Sequence, residues 1–154
     1  MIRLASGYFT YLKESASHNE VVEGDGRLVL ERESPQEFDV LVVDAFTGDS
    51  VPTHLLTREA MAIYTRHLRP DGILAMHISN TALDIEPVVE GIAGGSGFHT
   101  RIFEVQPDKT LRRANSKWAL LSRNPALVQE GRAIRGIAGM RPWTDDYNSL
   151  WPIL

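Results

Sequence analysis

Phe38-Asp39-Val40-Leu41-Val42-Val43, running straight into Asp44, is the stretch whose reading decides the fold. The run is apolar on both faces and lacks polar alternation, which predicts a strand covered by helices on each side, as in a parallel sheet. Upstream, Val21-Val22-Glu23-Gly24 reads as a second short strand and runs into Asp25. In open α/β sheets ligands lie outside the carboxyl ends of the strands, so Asp25 and Asp44 are expected to face one crevice.

Working outward, Ile2, Ala5, Tyr8, Phe9 and Leu12 recur at helical spacing and predict an amphipathic helix ending near Ser15 to Asn19. Leu28 and Leu30 open a short helix that must stop before Ser34-Pro35, because the residue before a proline is pushed out of helical geometry. Thr47-Gly48-Asp49-Ser50-Val51-Pro52 is rich in turn formers, and Ala60, Ile63, Tyr64, His67 and Leu68 then make the apolar stripe of a helix closed by Pro70-Asp71-Gly72. Ile73 to Ile78 reads as a strand, Ile85 to Ile92 as a helix, and Gly94-Gly95-Ser96-Gly97 as a turn into the strand Phe98 to Val105. Lys117 to Ser122 is the fifth strand. It follows the fourth through a loop alone, which predicts an antiparallel pair, whereas the longer connections elsewhere predict parallel pairing through right-handed crossovers.

Composition narrows the function. A chain of 154 residues reads as one domain, 1–154, with 43% apolar and 23% charged residues, ordinary for a soluble globular protein. No window approaches the ~20 apolar residues of a membrane span, and the first residues carry no long apolar stretch, so a cytoplasmic location and no membrane partner are expected. The absence of cysteine excludes disulfides, thiolate metal sites and cysteine nucleophiles. A net charge of −4 without a basic run argues against nucleic acid as a partner, although Arg101, Arg112 and Arg113 could form a local basic spot. The five histidines show no metal spacing, so no metal site is expected.

The expected fold class is therefore α/β, with a Rossmann-like, mostly parallel sheet and a C-terminal antiparallel hairpin, the topology of S-adenosylmethionine-dependent methyltransferases. Three ordered motifs sharpen this: Val21-Val22-Glu23-Gly24-Asp25-Gly26-Arg27, then Asp44-Ala45-Phe46-Thr47-Gly48-Asp49, then Trp143-Thr144-Asp145-Asp146-Tyr147. Together they resemble the spermidine synthase (polyamine aminopropyltransferase) family, in particular its bacterial spermidine-synthase-like branch.

The resemblance implies aminopropyl transfer from decarboxylated S-adenosylmethionine, as co-substrate, to an amine acceptor, with a small-molecule nucleoside and an amine as partners. It places Asp25 at the adenine amino group, with Gly26 letting the ring approach, and Asp44 at the attacking amine as the catalytic carboxylate, with Ala45 beside it on the nucleoside. Asp49 corresponds to a second acid of the same loop that faces the amine substrate. A carboxylate accepts hydrogen bonds only, which suits an adenine amino donor. Removal of an ammonium proton frees the lone pair that attacks, and a positioned base contributes about 10²- to 10⁴-fold.

Each assignment has an ordinary rival. An aspartate after a strand also serves as a helix N-cap or turn former, as Asp25 could. Asp145 and Asp146 read as shaping a turn that docks Leu150, Trp151, Ile153 and Leu154 on the body, and His77 as a core or rim histidine. Two further activities stay open: methyl transfer from intact S-adenosylmethionine, and a non-enzymatic half-domain needing a partner chain. The family's glycine-rich turn and second acid-tipped strand have no counterpart here, so the chain reads as a truncated member, and Gly94, Gly95 and Gly97 do not replace them. The missing neighbour would expose the edge of the Phe38 to Val43 strand, which predicts a homo-oligomer or a complementary chain covering it. Lys109, Arg112 and Arg113 in the loop before the last strand are poor company for a dication and make putrescine a doubtful acceptor.

Overall fold

Strand β1 (Phe38–Val43) forms as expected and lies parallel to β2 (Leu68–His77), with Leu41 opposite Leu74 and Val43 opposite Met76. The computed structural model describes residues 10–45, 51–110 and 112–154. Beyond β2 the sheet continues through β4 (Ser116–Ser122) to β3 (His99–Val105) and the two-residue β5 (Arg132–Ala133), in the order β1-β2-β4-β3-β5. β1, β2 and β3 point the same way, but β4 inserts between β2 and β3 and is antiparallel to both.

The expectation of a mostly parallel sheet is corrected by this pairing: among the described strands β1 with β2 is the parallel pair, and β2–β4, β3–β4 and β3–β5 are antiparallel. A loop too short for a crossover returns the chain from β3 to β4, and β4 takes the place beside β2 where a crossover strand would otherwise sit. The predicted strand at Val21 to Gly24 does not form. Val21 and Val22 stay about half exposed, and among the described residues β1 pairs with β2 and forms an edge of the sheet. Nor is β1 covered on both faces. Leu41 and Val43 pack on the core, whereas Val40 and Val42 are each 52% exposed.

Among the described residues four α-helices accompany the sheet: α1 (Tyr11–Glu14), α2 (Gly26–Arg32), α3 (Arg58–His67) and α4 (Glu86–Ala93). α1 begins after its N-cap Thr10 and ends at Glu14, close to where the first predicted helix was expected to stop, and residues 1–9 of that prediction lie outside the described residues. Local signals fix the others. Asp25 Oδ1 accepts the Leu28 amide at 3.0 Å to cap α2, and Thr57 Oγ1 accepts the Ala60 amide at 3.2 Å to cap α3. α2 stops at Arg32, just ahead of Ser34-Pro35. Its last carbonyls are then met by α3: Arg66 Nη2 donates to Leu30 and Glu31 at 2.8 and 3.0 Å, and His67 Nε2 donates to Leu30 at 2.7 Å.

Pro70-Asp71-Gly72 does not lie outside the sheet as expected. α3 ends at His67 and the chain enters β2 directly, with a register shift between Phe38↔Leu68 and Val40↔Ile73 that takes up the extra residues. The core gathers Tyr64, Leu74, Met76, Val88, Val89, Ile102, Leu121 and Trp143 between the sheet and helices α3 and α4. Of the tail, Ile153 is buried, but Trp151 is 85% and Leu154 74% exposed, so the expected docking of Leu150, Trp151 and Leu154 does not occur. No described helix is long and apolar enough to cross a membrane.

Candidate active site

A cleft of about 530 Å³ opens where α2 begins and β1 ends. Its walls include Asp25, Gly26, Asp44 and Ala45, with Leu41 and Val43 behind and His54 and Tyr64 on the opposite side. The volume falls within the range of ordinary small-molecule pockets, which are apolar with a few convergent polar groups. The structure thus brings together four of the five residues singled out from the sequence. Asp49 lies outside the described residues.

The two carboxylates differ in their surroundings. Asp25 caps α2 through Oδ1, as its ordinary rival reading held, and His54 Nε2 donates to its Oδ2 at 2.9 Å. The Leu28 amide, followed by the His54 ring, holds the Asp25 carboxyl below the usual carboxylate range. Each oxygen keeps one acceptor position, so capping and binding of an amino donor are compatible. Asp44 is 52% exposed in its side chain, and His77 Nδ1 donates to its Oδ1 at 2.7 Å.

Arg27 underpins this wall. It is buried on the first turn of α2, donates from Nη1 to Asp145 Oδ1 at 2.7 Å and to the His54 carbonyl at 2.6 Å, and engages Asp145 Oδ2 through Nη2. Thr57 Oγ1 donates to the same Asp145 at 2.8 Å. The Arg27 guanidinium lowers the Asp145 carboxyl and is itself raised by that contact. Asp145 therefore clamps the α2 entry to the loop bearing His54, beyond the turn-forming role expected of it. Burial pushes the Tyr64 phenol up, and its hydroxyl donates to the Leu55 carbonyl at 3.2 Å.

His54, His77 and Arg27 were not singled out from the sequence as site residues. Nothing local links His54 to an aspartate 29 residues earlier. His77 carried a usable signal: it stands one position past Met76 as Asp44 stands one past Val43, and a parallel register places such residues side by side. Among the described residues no group of three or more potential metal ligands is found.

Comparison with known proteins gives this geometry a context. No protein-family model matches the chain. A polyamine aminopropyltransferase of Vibrio vulnificus (strain CMCP6) is 32% identical over 156 residues, which cover 96% of this chain and 50% of that enzyme. Among solved structures, a probable spermidine synthase from Corynebacterium glutamicum ATCC 13032 superposes with a TM-score of 0.54 at 19% identity, over 82% of this chain and 54% of its own. Spermidine synthase from Thermotoga maritima gives a TM-score of 0.53 at 16% identity, over 88% of this chain and 50% of its own. These two likenesses establish the fold. The chain is spermidine synthase-like across nearly its whole length, and it spans about half the length of the relatives it matches.

Proposed function

We propose that the cleft binds the nucleoside of decarboxylated S-adenosylmethionine and serves aminopropyl transfer to an amine. The observation that carries this reading is the convergence of Asp25, Gly26, Asp44 and Ala45 on one pocket at the ends of α2 and β1. Asp25 accepts from the adenine amino group with its remaining acceptor positions, and Gly26, with nothing within 4 Å of a built Cβ, leaves room for the ring. Asp44 holds the acceptor ammonium and takes one of its protons, leaving the electron pair on nitrogen. That pair attacks the methylene carbon attached to the sulfonium. The carbon–sulfur bond breaks with its electrons going to sulfur, which leaves as the neutral thioether methylthioadenosine. A carboxylate in this place contributes both the base and electrostatic attraction for the cation.

Calorimetric titration with methylthioadenosine tests the site before any turnover is sought. Micromolar binding that disappears in Asp25→Ser supports the reading, because serine still caps α2 but is too short and uncharged to replace the carboxylate. Absence of binding by the folded wild-type chain overturns it and favours a half-domain acting with a partner. Preference for intact S-adenosylmethionine over the decarboxylated donor shifts the reading to methyl transfer.

A further inference from the structure

Val43 and Met76 are register partners on parallel strands, so the residues that follow them, Asp44 just beyond β1 and His77 at the end of β2, stand side by side. Among the described contacts of His77, three fix its ring. Nδ1 lies 2.7 Å from Asp44 Oδ1 and Nε2 lies 2.7 Å from Ser79 Oγ. Trp118, opposite His77 on β4, stacks on the imidazole with centroids 4.5 Å apart and planes 7° from parallel. Ser79 Oγ in turn accepts the Lys117 amide at 2.8 Å.

The donors and acceptors of this chain are mutually consistent for one tautomer. A carboxylate only accepts, so the proton sits on Nδ1. The Ser79 hydroxyl, already accepting from Lys117, donates its hydrogen to the Nε2 lone pair. Among the described residues the charged group in contact with the ring is Asp44, and Lys117 on β4 turns its Nζ to Glu86 at 3.1 Å. A half-exposed carboxylate gains little stability from one such contact, so fixing the ring so fully is better explained by what it does to Asp44.

We propose that His77 is the positioning residue for the amine end of the cleft: it commits Asp44 Oδ1 to the imidazole, fixes the carboxylate plane, and leaves Oδ2 for the acceptor amine. Ser79 and Trp118 set the tautomer and the ring plane on which this depends. The inference deepens the aminopropyl-transfer reading and rests on it. It also specifies the acceptor: Asp44 offers one oxygen, which suits a single primary ammonium contact and not a bidentate guanidinium.

The test uses the full chain and three readouts. Nitrogen-15 NMR of the histidines is expected to show His77 protonated on Nδ1 in the wild type and reverting to the Nε2-protonated form in Asp44→Ala. In His77→Ala, methylthioadenosine affinity stays within about twofold while kcat/KM for the amine falls about 100-fold, the scale of a mispositioned base. His77→Asn, whose amide nitrogen stands near the place of Nδ1, restores amine use to within about tenfold. Amine affinity for the methylthioadenosine complex follows the same order, so the test does not depend on turnover. An Nε2-protonated His77 in the wild type, or amine binding unchanged in His77→Ala, overturns the positioning role. A wild-type chain that keeps the Nδ1 tautomer but binds no methylthioadenosine overturns the aminopropyl reading instead, and reduces the pair to a structural contact.

Discussion

At the scale of single residues, two carboxylates with opposite burial illustrate how environment sets role. Glu86 is fully buried on the first turn of α4, where desolvation alone would raise its carboxyl. Hydrogen bonds from Arg132, Arg135 and Lys117 outweigh that effect and hold it far below its ordinary value of 4.5. A depressed folded value contributes stability above the unfolded value and loses it as pH falls below that value. Unfolding midpoints are therefore expected to drop as pH is lowered below 4.5, and Glu86→Gln is expected to flatten that dependence. At neutral pH the same substitution leaves three cations without their partner and costs about 2–3 kcal/mol, less than a wholly buried pair would because Arg132 and Arg135 remain partly exposed. Chemical denaturation across pH checks both. Asp25 is the contrasting case, a half-exposed group whose capping and binding roles separate by substitution. Asp25→Ala is expected to lose about 1 kcal/mol with the cap, whereas Asp25→Ser keeps the stability to within a few tenths. Both are expected to lose methylthioadenosine binding.

At the scale of elements, the β1–β2 pair carries the site, and its register is what sets Asp44 beside His77. That register depends on the irregular entry of β2. A Cβ on Gly72 would lie 2.8 Å from the Phe38 carbonyl oxygen and 3.2 Å from that of Arg69, both backbone atoms that cannot move aside without disturbing the pair. Gly72→Ala is expected to destabilise the chain by about 1–3 kcal/mol, read as a lowered denaturation midpoint. The sequence Pro70-Asp71-Gly72 reads locally as a stop between elements, yet the structure carries it through β2. Where it falls relative to the ladder is a matter of which strand lies alongside, and no local preference decides that.

At the scale of the whole molecule, β1 is an edge strand among the described residues and the feature most in need of a partner. Val40 and Val42 are each 52% exposed beside an edge whose outer backbone groups have no described strand to pair with. Leaving such side chains half in water forgoes on the order of 1 kcal/mol each, and an apolar edge invites strand addition. Association that grows with concentration is expected in sedimentation velocity. Val40→Lys is expected to shift the chain toward monomer, because a charge on an edge opposes pairing. A wild-type chain that stays monomeric at every concentration discards the idea that a second copy covers the edge.

The sequence by itself determined the local pieces: β1 from its apolar run, α2 from Leu28, Leu30 and the proline that follows, α3 from its apolar stripe, and β2, α4, β3 and β4 from hydrophobic period. It also marked Asp44, a carboxylate closing an apolar strand, and Asp25 after an apolar run, while Gly26 and Ala45 were singled out through the resemblance to the spermidine synthase family. The tertiary structure alone decided that β4 inserts antiparallel beside β2, that Val21 to Gly24 forms no strand among the described residues, and that Val40 and Val42 stay half exposed, since a strand exists only through a neighbour that can lie far away in the chain. It alone brought His54 to Asp25, Asp145 to Arg27 and His77 to Asp44, across 29, 118 and 33 residues. Hydrogen bonds at such separations are written in packing and register, and short-range patterns of polarity carry no record of them.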